Sequence, residues 1–367
     1  MKDSAREFFN NIEMKLKQLK ICSLLLLLGA FAASLTSCNL INEEEGDCRS
    51  RYRVRFVYDK NLKWANAFPS EVHAVNLYIF DENGIFVKEF AEAGEQLAQP
   101  GFCISFDDET VAPGKYTLLA WCLNPPTKAE GAFEIPSPVA GETRLEEMTC
   151  VLSTLSDSQY PQYSDEQLPF LYHGMAEVEL PDAHRGLTYD YTVSLTKDTN
   201  HIRIILQELS GDDIDASQFE MRIESANGRL AYNNLLLPDN PTVAYLPWAL
   251  TADRMALNEN GTITYNYGLI GDLSTSRMMA SHEGEFFLTI VRKDTGDEVI
   301  ANVPVIQYAL LSKEYYEDAY GHSMTNQDFL DREDEYVLTF FLYDGRWLDS
   351  SILINSWRVV LHDYELS

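Results

Sequence analysis

The stretch VHAVNLYIFDENGIFVKEF, residues 72–90, decides the fold. Two apolar runs, 72–80 and 84–90, flank a polar turn. Val, Ile, Phe and Tyr suit a pleated, half-buried surface, so both runs read as strands. Asn83-Gly84 is the pair preferred by a two-residue type I′ hairpin, whose central residues both need φ > 0. The expectation is an antiparallel hairpin.

Similar runs recur outward from it. Before it lies YRVRFVY (52–58), and after it FCISF (102–106), YTLLAWCL (116–123), MTCVLSTL (148–155) and LYHGMAEVEL (171–180). The series continues with YTVSL (191–195), HIRIILQEL (201–209), FEMRIES (219–225), TITYNYG (262–268), EFFLTIVRK (285–293) and VIANVPVIQYALL (299–311). It closes with EYVLTFFLYD (335–344) and SILINSWRVVL (351–361). Only 312–320 and 326–335 read as short helices or loops. Many short strands separated by turn residues predict an all-β chain built of sandwiches.

The pattern runs twice. A strand, a polar loop, an Asn-Gly turn and a Gly-x-aromatic strand occur first around Asn83-Gly84 and Gly114-Lys115-Tyr116. They recur around Asn227-Gly228 and Gly284-Glu285-Phe286, with a longer spacing. This reads as two related domains, the second carrying an insertion. The loop-rich LPDAHRGL (180–187) places the break, giving sandwiches over 48–185 and 186–367.

The 367 residues include 20 Tyr and 18 Phe, ample for packed β cores, and carry a formal charge of −29. Nucleic-acid binding needs clustered Lys and Arg, so that charge argues against a nucleic-acid partner. It argues equally against adsorption to anionic headgroups and suits a surface that resists self-association.

From Met14 the chain reads MKLKQLKICSLLLLLGAFAASLTSC. Lys15, Lys17 and Lys20 precede an apolar segment, Ile21 to Ala33, that is short for a bilayer span and suits a signal peptide. Residues 1–13 read as the product of an upstream start codon, and 1–37 as the segment removed. Leu35-Thr36-Ser37-Cys38 fits a bacterial lipobox, predicting a diacylglyceryl thioether on Cys38, cleavage before it and acylation of the new amine. Acyl chains contribute about 0.8 kcal/mol per buried CH2, and several together anchor stably. Cleavage removes Lys2, Arg6, Lys15, Lys17 and Lys20 against Asp3, Glu7 and Glu13, so the mature chain is more acidic than the whole. Glu43-Glu44-Glu45 and Asp47 make residues 38–47 an acidic tether.

Six cysteines are present; Cys22 leaves with the signal and Cys38 takes the lipid. Cys48, Cys103, Cys122 and Cys150 are disulfide candidates outside the cytoplasm, with pairing open. Cys103 and Cys122 lie in strand-like runs, where a cysteine also serves as a buried hydrophobe. No zinc spacing occurs, and no catalytic motif stands above background. His282-Glu283-Gly284-Glu285 lacks a second histidine, and Asp212, Asp213 and Asp215 lack an EF-hand pattern. FLDREDEY (329–336) reads as an exposed charged face. No enzyme, metal or cofactor is expected, and the single covalent group is the lipid on Cys38. Of Trp64, Trp121, Trp248, Trp347 and Trp357, Trp248 is the best candidate for an exposed sugar-stacking ring.

Three stretches carry a family likeness: residues 48–87 with YDKN and FDENG, PGKYTLLAWC (113–122), and 327–361 ending in ILINSWRVVL. With the lipobox and acidic tether they resemble the FimB-type (Mfa-type) fimbrial anchor family of Bacteroides-group bacteria. Glu43 to Asp47 is similar to the acidic export signal of surface lipoproteins in that group. The resemblance implies two tandem transthyretin-like β-sandwiches, outer-membrane attachment through Cys38 and a place at the base of a fimbrium. It also implies other fimbrial subunits as partners, joined by β-strand addition, in which backbone hydrogen bonds give affinity and alternating side chains give register. Ile352, Ile354, Trp357, Val359 and Leu361 are the apolar candidates for such a strand, whose default reading is an internal strand of its own sheet. A tip adhesin or a surface glycan-binding lipoprotein is the alternative.

Overall fold

A computed structural model describes residues 49–124, 131–182, 186–259, 262–343, 346–354 and 357–361. One compact unit comprises Met1–Ser50 with Ala183–Leu187, of which only 49, 50, 186 and 187 are described. The other, Arg51–Asp182 with Thr188–Ser367, carries the fold.

The first half supplies β1 (Arg51–Val57), β2 (Ala74–Asp81), β3 (Phe86–Ala93), β4 (Ile104–Asp107) and β5 (Gly114–Asn124). There follow β6 (Phe133–Glu134), β7 (Thr149–Leu152), β8 (Tyr163–Ser164), β9 (Phe170–Leu180) and β10 (Thr188–Lys197). A seven-stranded sheet runs β3-β2-β5-β9-β10-β1-β4. β9 and β10 pair only over Leu195↔Gly174 to Lys197↔Tyr172, so the sheet folds there into two leaves. Gly174 permits the fold: a Cβ would lie 2.6 Å from Val193 and 2.7 Å from the Ser194 carbonyl oxygen.

Alternation in β1 turns Tyr52, Val54 and Phe56 into the core between the leaves. Val75, Leu77 and Ile79 meet them from β2, and Leu118, Ala120 and Cys122 from β5. β2 and β5 carry apolar residues on their other face as well. There Tyr78, Phe80, Leu119 and Trp121 pack against Leu145, Met148, Cys150 and Leu230. A strand covered on both faces reads as a continuous apolar run, which accounts for LYIF and LLAW.

The second half contributes β11 (Thr199–Glu208), β12 (Phe219–Ser225), β13 (Arg229–Ala231), β14 (Val243–Tyr245) and β15 (Ala249–Glu259). Next come β16 (Thr262–Ser276), β17 (Phe286–Arg292), β18 (Glu298–Pro304), β19 (Glu335–Tyr343), β20 (Arg346–Ile354) and β21 (Trp357–Leu361). One sheet runs β15-β16-β11-β19-β20-β21 and faces another, β18-β17-β12-β14-β8, across a core that includes Ile202, Ile204, Ile223, Leu288 and Leu338. The helices are short: α1 (Phe68–Glu71), α2 (Val305–Leu310), α3 (Lys313–Tyr320) and α4 (Asn326–Leu330). Thr325 caps α4 in a reciprocal box with Asp328.

The halves share their wiring. β1 runs parallel to β10 and antiparallel to β4; β11 runs parallel to β19 and antiparallel to β16. β2 lies antiparallel between β3 and β5, as β12 does between β14 and β17. The Gly-x-aromatic strands β5 and β17 pair next with β9 and β18. Two sandwiches of one topology thus stand in tandem, and β13 with the long β15–β16 hairpin fills the extra spacing of the second.

Several local readings change. β10 lies beyond the expected break at 185/186, yet its partners are β1 and β9 of the first half. At the first Asn-Gly turn only Gly84 has positive φ, 73°. The Asp81 carboxylate accepts the Asn83 and Ile85 N–H groups, so a tight turn with a left-handed glycine replaces type I′. Asn227-Gly228 makes no hairpin: β13 leaves β12 to pair with β7, and β14 takes the place beside β12. The run 299–311 splits at Pro304, which has no N–H to continue the ladder, and α2 follows. The run 351–361 belongs to two strands, β20 and β21, paired from Ser350↔Leu361 to Ile354↔Trp357.

Candidate functional site

The sequence-derived sites scatter. Cys38 and Cys48 lie outside the described residues. Cys103, Cys122 and Cys150 are free thiols, which removes any bridge among those three. The reason is placement: Cys122 points into the core between the leaves and Cys150 into the cluster on the opposite face of that sheet. Burial pushes both thiols up from their ordinary pKa. Ile352 and Ile354 fall on β20, and Trp357, Val359 and Leu361 on β21. Among the described residues β21 pairs with β20 in its own chain's six-stranded sheet and stands at the edge of that sheet.

Trp121 is fully buried, and Trp347 packs edge-on against Phe340. Trp248 is half-buried, its ring tilted 5.9 Å from that of His201. Trp64 instead is exposed, 41% accessible. Asp215 caps a turn by accepting from Ser217, and Asp212 accepts from Ser210. Among the described residues no group of three or more His, Cys, Asp or Glu side chains is placed to hold a metal ion.

What the fold does assemble is the joint between the sandwiches. Lys197 ends β10, with only 5% of its side chain exposed. Its Nζ lies 2.6 Å from Asp334 Oδ2, just ahead of β19, and 2.8 Å from Glu71 Oε2 at the end of α1. The rings of Phe170, Tyr58 and Tyr172 surround the ammonium at 4.1, 5.5 and 5.6 Å. Tyr172 donates its hydroxyl to Glu71 Oε2 at 3.0 Å. Burial pulls the Lys197 pKa down, but Asp334 and Glu71 outweigh it and hold the ammonium above its ordinary range. Burial raises Asp334 in turn, against the pull of Lys197.

The next residue, Asp198, is completely buried. Its Oδ1 accepts from Asn234 Nδ2 at 2.8 Å and lies 3.6 Å from Arg277 Nε. Arg277 donates to Asp331 Oδ1 and to the Asn234 carbonyl oxygen, each at 2.6 Å. Burial pushes Asp198 up to about 7 and Glu333 up to about 8. Segment 329–336 is therefore no exposed face: Asp331 and Glu333 are buried at the joint.

Three further contacts cross it. Leu62, from the loop after β1, inserts into the second core, where the Tyr316 hydroxyl donates to its carbonyl oxygen. Trp64 donates Nε1 to Tyr316 Oη at 3.2 Å, and Arg332 stacks 3.6 Å from the Trp64 ring centroid. The sandwiches also exchange strands. β8 of the first half extends the second half's sheet beside β14, and β13 of the second joins β7 of the first. A cleft of about 570 Å³ opens beside Lys197, lined by Tyr58, Asn61, Glu71, Arg332 and Asp334 among others. The joint couples the halves through buried charge, inserted side chains and shared ladders. Removing one partner of such a pair strands the other, which typically costs about 3–5 kcal/mol. Only the density of charge in FLDREDEY hinted at it.

A model of the family described as fimbrillin-A associated anchor proteins Mfa1 and Mfa2 matches residues 44–363. The minor fimbrium anchoring subunit Mfa2 of Porphyromonas gingivalis is 22% identical over 366 residues, 96% of this chain and 99% of that protein. A solved candidate adhesin from Bacteroides thetaiotaomicron is 31% identical with a TM-score of 0.70, covering 85% of this chain and 97% of its own. The solved fimbrial anchor protein Mfa2 of P. gingivalis superposes with a TM-score of 0.58 at 16% identity, covering 86% and 100%.

Proposed function

The chain belongs to the fimbrillin-A associated anchor protein family of Mfa1 and Mfa2, and from that premise we propose that it anchors a fimbrium to the outer membrane through lipid on Cys38. The family is one of structural fimbrial proteins rather than enzymes, and a fimbrial subunit role follows from membership. The match over 44–363 carries the proposal, since it takes in both sandwiches and reaches the acidic tether. The lipobox at Leu35 to Cys38 supports lipid attachment, and Glu43 to Asp47 supports an outward-facing surface position. No helix among the described residues is long and apolar enough to cross a membrane.

Other fimbrial subunits are the proposed partners, joined by strand addition. β21 favours this because, among the described residues, it is an edge strand, and an edge strand can offer backbone groups to a neighbour. The coupled joint suits a protein under load, since force entering one sandwich reaches the other through packed and hydrogen-bonded contacts.

The test is Cys38→Ala in the native strain. Fimbriae, or this protein, should appear in the medium; full retention on the cells would remove the anchoring role. Likeness to a candidate adhesin keeps a tip position as the second reading. Immunogold label at the fimbrial base supports the anchor, and label at the tip supports the adhesin.

A further inference from the structure

Lys197, Glu71 and Asp334 converge at the joint, Nζ lying 2.6 Å from Asp334 Oδ2 and 2.8 Å from Glu71 Oε2. We propose that Lys197 Nζ and the Asp334 carboxyl carbon become joined by an intramolecular amide bond, with Glu71 as the catalytic residue.

Spontaneous condensation of an amine with a carboxylic acid needs the two in contact, shielded from water, with a third group to move protons. The first condition is the 2.6 Å approach of Nζ to Asp334 Oδ2. The second is the burial of Lys197 among the rings of Tyr58, Phe170 and Tyr172. The third is Glu71, whose Oε2 lies 2.8 Å from Nζ and is held there by the Tyr172 hydroxyl. The backbone at both ends is fixed: Lys197 pairs with Tyr172, and His201 N–H donates to the Asp334 carbonyl oxygen at 2.7 Å. Reactants held this way gain an effective concentration of about 10⁵–10⁸ M, which offsets the cost of condensation in water.

The resting pair is an ammonium and a carboxylate. One proton crossing from Nζ to Asp334 gives the neutral amine and acid; the two carboxylates oppose this step by holding the ammonium, while burial, which raises Asp334, assists it. Nζ then attacks the carboxyl carbon. Glu71 accepts the proton the nitrogen releases and returns one to the departing hydroxyl. A C–N bond forms, a C–O bond breaks, and one water leaves into the adjoining cleft. No electrons change hands, and no further reactant is needed.

The amide would tie the end of β10 to the start of β19 and enclose the chain between them, which builds most of the second core. If the protein anchors a fimbrium as proposed above, load on β19 would then pass to β10 through a covalent bond and on to its parallel partner β1 through their backbone ladder. That mechanical consequence rests on the anchoring role; the bond itself does not.

Peptide mass spectrometry of the folded mature protein decides the matter. The expected result is a branched peptide joining Lys197 to Asp334, lighter than its two arms by one water, with no tryptic cleavage after Lys197. Glu71→Gln, with its fold checked by circular dichroism, should yield the linear peptides. Folded wild-type protein giving only linear peptides for both residues would overturn the proposal, whatever the variants do. A Glu71→Gln chain that still carries the branch would remove Glu71 from the reaction.

Discussion

The guanidinium of Arg332 stacks 3.6 Å from the ring centroid of Trp64, a residue of the other sandwich. Trp64 holds a left-handed backbone, φ 53°, to reach that position. A bulky residue takes up such a conformation only when its surroundings over-determine it. Here Arg332 also donates to the carbonyl oxygen of Asp59, at 2.9 Å, so stacking and hydrogen bonding fix the same loop.

A double-mutant cycle on Trp64→Ala and Arg332→Ala should therefore return a coupling of about 0.5–1 kcal/mol, the range for an exposed cation–π pair. Chemical denaturation of the four proteins measures it. Additive losses would mean that the stacking adds nothing to what each residue contributes separately, Arg332 through Asp59 and Trp64 through Tyr316.

Asp198 predicts a pH dependence. Its folded pKa is raised to about 7 by burial, while an unfolded aspartate titrates near about 3.9. Between those values the folded state keeps a proton that the unfolded state has lost, so this contribution to stability falls as pH rises through the window. Arg277, Lys60, Asp331 and Asn234 are the charged and polar groups that act on it. Asp198→Asn removes the titration and keeps the acceptor for Asn234. The stability of wild type relative to this variant should decline from pH 4 to pH 7, by up to about 1.4 kcal/mol per unit. Thermal melts across that range report it, and parallel curves would place the titration elsewhere.

The thiols give a third outcome. Cys122 and Cys150 are buried and free on opposite faces of one sheet. Iodoacetamide without reductant should leave both unmodified in the folded protein and alkylate both once it is denatured. A cysteine that resists alkylation until reduced would be in a disulfide, contrary to the structure.

The fold was legible where one strand face alone is buried. Alternation in β1 separates Tyr52, Val54 and Phe56 from Arg51, Arg53 and Arg55 without outside help. It was less legible where a distant segment decides. Trp121 is covered by a cluster that includes Leu230, and no local pattern announces that contact. Asn227-Gly228 has hairpin composition, yet Asn227 is buried with its amide donating to the carbonyl oxygens of Ser276 and Arg277. The joint was the hardest to foresee. Asp331 and Glu333 belong to a charge-rich stretch that normally faces water, and Lys197 lies 137 residues from its partner Asp334. Burial of such a group depends on the packing of two sandwiches, which composition and periodicity do not report.

The edge position of β21 makes the last prediction. Its only ladder partner among the described residues is β20, while the second core is built by β11, β12, β17 and β19. Truncation after Ile354 removes an edge strand of the six-stranded sheet. The shortened protein should stay on the cell through Cys38. If β21 is where a neighbouring subunit adds its strand, the same cells should shed fimbriae while retaining this protein. Electron microscopy of cells and medium, with immunoblotting for the truncated chain, separates the outcomes. Cells that keep both the truncated chain and their fimbriae would exclude β21 as the contact and direct attention to β15, the opposite edge of the same sheet.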